Sequence, residues 1–109
     1  MTEPPAITEM IFDLGPEVII GNTASVQCTA FGIPTPNISW EMNGSPLEDG
    51  GRVNISEETV YETTTISSTL LISNVTLSDN GQYTCVADNG VNPNASMSLQ
   101  LTILCKSKC

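Results

Sequence analysis

A chain of 109 residues is long enough for one domain, which buries about two-thirds of the surface its unfolded form exposes. Twelve Asp and Glu stand against only Arg52, Lys106 and Lys108, with no His, giving a formal net charge of −9. This excludes the clustered cations that nucleic acid, heparin-like polyanions or anionic membranes require, it removes the imidazole that serves as the usual general base and zinc ligand, and no apolar run reaches the ~18 residues of a membrane span.

Taken in chain order, Met1-Thr2-Glu3-Pro4-Pro5 lacks the basic start and apolar stretch of a secretory signal. Pro4-Pro5-Ala6-Ile7 reads as an edge strand or a linker, because a proline at an edge costs no ladder bond. Ala24, Val26, Cys28 and Ala30 alternate with Ser25, Gln27 and Thr29, the period of a strand with one buried face, so Cys28 points inward. Gly32-Ile33-Pro34-Thr35-Pro36 turns the chain, and Ile38 and Trp40 then alternate with Ser39 and Glu41 toward the same core. Asn43-Gly44 and Asp49-Gly50-Gly51 are turn signals, with a short segment between them able to pair as an extra edge strand. Val53 and Ile55 face in, as do Leu70 and Ile72 after the run Thr63-Thr64-Thr65; Leu71 faces out and Val75 plugs the next corner. Tyr83, Cys85 and Ala87 point inward against Gln82, Thr84, Val86 and Asp88. Asn89-Gly90 marks a hairpin closed by Pro93, and Met97, Leu99, Leu101 and Ile103 form the last inward series. Short, regularly spaced strands without a helical period predict an antiparallel sandwich or barrel.

Of the four cysteines, Cys28 and Cys85 lie far apart, each inside an alternating apolar segment. In a small chain this points to a bridge between two sheets formed in an oxidising compartment; neither has a Cys or His nearby, which disfavours metal binding or redox chemistry. Closing a loop of that length stabilises the fold by roughly 4 kcal/mol in the chain-entropy account. Asn-x-Ser/Thr sequons at Asn37, Asn43, Asn54, Asn74 and Asn94 add independent support for secretion, against the bland reading that one or two arise by chance.

Cys28, Trp40 and the run Asp79-x-Gly81-x-Tyr83-x-Cys85 together resemble the immunoglobulin superfamily, over almost the whole chain. The resemblance implies an all-β, Greek-key antiparallel sandwich in which Trp40 packs on a Cys28 to Cys85 bridge, with Leu70 in the same core. It also implies a tyrosine corner at Tyr83 and a structural ion pair between Arg52 and Asp79. The short stretch between the cysteines and the loop 32–36 favour the I-set over the V-set. The expected division is a linker at 1–5, an Ig-like domain at 6–104, and a tail or the start of a following module at 105–109.

Cys105 and Cys109 depart from a plain module of this kind. Extended, their Cα atoms stand ~13 Å apart, so a local pair needs a tight turn; a truncated Cys-rich module and an interchain link are the rivals. Glu57, Glu58 and Glu62, or Asp88 with Asn89 and Asn92, lack the spacing of a calcium loop, and no Ser or Thr has a base to activate it. No catalysis, metal or cofactor is expected. The resemblance implies a module of a larger cell-surface or secreted protein that binds another extracellular protein or its own copy, through the loops 32–36 and 88–94 or the face bearing Thr84 and Val86, with Asn89 and Val91 at the loop tip. A spacer that binds nothing and a muscle-type intracellular domain are the alternatives.

Overall fold

The structure, a computed structural model, describes residues 2–105. Its strands are β1 (Glu3–Phe12), β2 (Glu17–Ile19), β3 (Ala24–Ile33), β4 (Asn37–Met42), β5 (Ser45–Leu47), β6 (Val53–Val60), β7 (Thr65–Ile72), β8 (Gly81–Asp88) and β9 (Ala95–Leu104), with one 3-10 turn at Leu77–Asp79. They form two sheets, ordered β1-β3-β7-β6 and β2-β9-β8-β4-β5, packed face to face as a sandwich. Every strand pairing is antiparallel except β2 with β9, which is parallel. The first strand begins at Glu3, within the segment 1–5, and Pro5 is already buried.

The alternation in sequence becomes the sandwich's interior. Val26, Cys28, Ala30, Trp40, Leu70, Tyr83, Cys85, Ala87 and Leu101 are each 2% exposed or less. Val75 is fully buried at the corner before the 3-10 turn. Val53 and Ile55 face the same interior but are only half-buried, because β6 is the outermost strand of its sheet.

Met97 corrects the expected inward series. It sits opposite Cys85 in register and so shares the inward direction, yet it is 40% exposed. The cause is its position: β2 flanks β9 only at residues 102–104, leaving the start of β9 at the sheet margin. The strand's burial accordingly rises along its length, from half-buried Leu99 to Leu101 and Ile103 in the core.

The domain measures 55 Å along its principal axis and 22 Å across. At one pole lie Glu3, loop 34–36, hairpin 61–64 and loop 89–94; at the other lie residues 13–16, turn 43–44, loop 73–80 and Leu104. Gly32 is required at the first pole by close approach. A Cβ there would stand 2.8 Å from Asn89 Nδ2 and 3.2 Å from Pro5 Cα.

Candidate functional site

In the buried core the sheets are joined by a disulfide and by a hydrogen bond. Cys28 on β3 and Cys85 on β8 form a disulfide across the sandwich, their Cα atoms 6.5 Å apart. Trp40, beside Cys85 in register, donates its indole N–H to Ser68 Oγ at 2.9 Å, so the ring is wedged between the sheets with its polar atom satisfied.

A second assembly, around Asp79, fastens the pole formed by residues 13–16, turn 43–44 and loop 73–80. Arg52 donates to both carboxylate oxygens, at 2.9 and 3.1 Å, and also to the carbonyls of Ser73 and Asn74. Thr76 N–H donates to Asp79 Oδ2 at 2.8 Å, and Tyr83 Oη–H to the Asp79 carbonyl at 2.7 Å. Burial pushes the Asp79 carboxyl upward, but the Arg52 hydrogen bond, the Thr76 N–H and the Arg52 charge outweigh it and hold the group below the usual carboxylate range. Burial, reinforced by the Asp79 charge, pushes the Tyr83 phenol up to about 12.

These shifts fix the direction of pH sensitivity. A carboxyl lowered in the folded state contributes stability that is full above its unfolded value of about 4 and is lost as pH falls through the folded one. A raised phenol contributes below its unfolded value of about 10 and is lost as pH climbs through about 12. Asp79→Asn is therefore expected to cost about 1–2 kcal/mol at neutral pH, by loss of the charged two-oxygen acceptor for Arg52, and to reduce the fall in stability between pH 4 and pH 2. Urea melts at both ends of that range test it; an acid limb of unchanged steepness counts against the assignment.

The contact candidates are distributed unevenly. Thr84 and Val86 lie on the outer face of the five-stranded sheet, where Thr84 Oγ1 and Ser98 Oγ are hydrogen-bonded at 2.8 Å; Glu41 stands opposite Thr84, Ser39 and Ser96 flank Val86, and Gln82 pairs with Gln100 on the same face. Asn89 is committed inside the domain. Its amide donates to the carbonyls of Glu3 and Pro34, both at 2.8 Å, and its Oδ1 accepts from Val91 N–H at 3.0 Å. Asn89 thus ties the first strand to two loops, while the half-buried Val91 follows it. Composition alone gives no sign of this tie, because it depends on which loop lies over which strand.

All five sequon asparagines are exposed. Asn37 opens β4 opposite Asp88 on the outer face of the five-stranded sheet, whereas Asn54 sits opposite Leu71 on the outer face of the other sheet. Asn43 occupies the β4–β5 turn, its Oδ1 accepting from Gln82 N–H at 2.9 Å. Asn74 offers its carbonyl to Arg52, and Asn94 immediately precedes β9. Cys105 follows β9 and is half-buried; Cys109 lies outside the described residues.

Comparison with known proteins finds the same signature. The family model described as the Immunoglobulin I-set domain matches residues 7–103. The cell adhesion molecule Dscam2 of Drosophila melanogaster is 41% identical over 69 residues, covering 63% of this chain and 3% of that protein. Hemicentin-1 of Homo sapiens is 36% identical over 73 residues, 67% of this chain and 1% of that protein. Titin domain M7 shares the structure with a TM-score of 0.81 at 28% identity, covering 95% of this chain and 97% of that one. The chain therefore spans only a small part of the curated relatives it matches.

Proposed function

The chain belongs to the immunoglobulin I-set family, and from that membership we propose that it is an extracellular recognition module of a longer protein, engaging another extracellular protein or its own copy. The observation that carries the location is the Cys28–Cys85 disulfide, which joins the two sheets at fully buried positions and forms in an oxidising compartment. Five exposed sequon asparagines support it, since attached sugars belong to a secreted surface. The cell adhesion molecule among the relatives supports recognition as the role. We assign the module no chemistry of its own, since the sequence has no His to activate a hydroxyl.

One observation favours a second reading, a spacer that binds nothing. Asn37 and Asn54 stand on opposite outer faces, so sugars on both would hinder close approach to either. Mass spectrometry of protein secreted from eukaryotic cells, with and without reduction, tests the location, and binding of chain-coated beads to one another and to cell surfaces tests recognition. The proposal expects one core disulfide, occupied sequons and bead binding. Glycan on both faces with inert beads leaves the spacer, and free core thiols with no secretion leave an intracellular domain like that of titin.

A further inference from the structure

A sheet is open to other chains at its edges, where the outer strand's backbone N–H and C=O groups lack partners. The edges of this domain are guarded unequally. β1 carries Pro4 and Pro5 and two register shifts along β3; β5 is three residues long and contains Pro46; β6 presents Glu57 and Glu58. The short β2 shields β9 only at residues 102–104. Residues 95–101 of β9 remain. Among the described residues no strand is hydrogen-bonded to their outer side, although β1 of the facing sheet packs near β9, and they hold no charge, no proline and no register shift.

Two hydrogen bonds reveal which groups face outward. Thr102 N–H donates to the Pro16 carbonyl at 2.9 Å and Ile20 N–H to the Leu104 carbonyl at 2.7 Å, so these even-numbered residues turn their backbone toward β2. Ile103 N–H points the other way, donating to Asn80 Oδ1 at 2.9 Å beside β8. Because the direction alternates along a strand, Ser96, Ser98 and Gln100 each offer an N–H and a C=O to the open edge, while Met97, Leu99 and Leu101 bond to β8.

We infer that this edge pairs with the same edge of a second copy, antiparallel about a two-fold axis at Ser98. The inference rests on the recognition reading and adds its surface and mode. Such an axis sets Ser98 opposite itself, Ser96 opposite Gln100 and Met97 opposite Leu99, so every outward donor meets an acceptor and apolar side chains meet only apolar ones. Met97, inward-pointing yet exposed, gains the cover it lacks in one copy. The chain is acidic overall, but no like charges meet along this uncharged seam. The sequons at Asn37 and Asn54 lie on the sheet faces, and Asn94 lies four residues, ~13 Å, from the axis.

The test is sedimentation of the secreted 109-residue chain from micromolar to millimolar concentration. A reversible dimer is expected, weakened by about tenfold or more in Ser98→Pro, which removes two symmetry-related hydrogen bonds and leaves the β8 ladder whole. Should that variant fail to fold, Ser98→Lys gives the same readout, because two ammonium groups then meet at the axis. A wild-type chain that stays monomeric, or a dimer that neither substitution weakens, overturns the inference. Bead binding that persists in such a monomer leaves recognition standing through a different partner or surface.

Discussion

Replacing Cys28 by Ala and Cys85 by Val is expected to lower the free energy of unfolding by about 4 kcal/mol, a large fraction of what a domain of this size has. The bridge joins positions 57 residues apart, so in the unfolded chain it forbids a large set of conformations that the variant regains. The Ala and Val pair keeps the interior filled and apolar, which separates the cross-link from the cavity a double alanine would leave. Both cysteines are fully buried, so a reductant reaches the bond only when the sheets separate. Urea melts of the two proteins under oxidising conditions measure the difference; a loss below about 1 kcal/mol would show that packing, not the cross-link, holds the sandwich.

The second large effect is expected at Trp40. Its side chain is nearly inaccessible, and truncation to alanine removes both the largest apolar surface in the core and the partner of Ser68, for a cost of about 4 kcal/mol. Trp40→Phe separates these contributions. It keeps much of the packing but leaves the fully buried Ser68 hydroxyl without its donor, a penalty of about 1–3 kcal/mol. Adding Ser68→Ala to the phenylalanine variant should recover part of that penalty. Equal losses in the presence and absence of the Ser68 hydroxyl would assign the whole effect to volume. Because Trp40 lies beside Cys85, its substitution and that of the disulfide are expected to be non-additive.

The parts of the fold legible in the sequence were those whose burial is decided strand by strand. Around Cys28, Trp40, Leu70 and Cys85, one face of a two-residue period lies under a full opposing sheet, so alternation and burial coincide. The period says nothing about where a sheet ends, and there Met97 keeps its direction and loses its cover. The three-residue β2 left no periodic signal at all, although its Val18 joins the core. The polar assemblies divide in the same way. Arg52 with Asp79 was readable through the family resemblance, while the role of Asn89 depends on contacts 55 and 86 residues away in the chain, which no local pattern encodes.

The parallel pairing of β2 with β9 also sets how the domain bears load. Both strands run toward the pole at which β9 ends, while β1 starts at the opposite pole. Tension applied between Glu3 and Leu104 pulls β2 backward through β1 and β9 forward, so the bonds from Thr102 to Pro16 and from Ile20 to Leu104 are strained together in shear and are not opened one at a time. The load therefore meets first the β1–β3 ladder and then the three paired residues of β2 and β9, both in shear, before it reaches the rest of the sandwich.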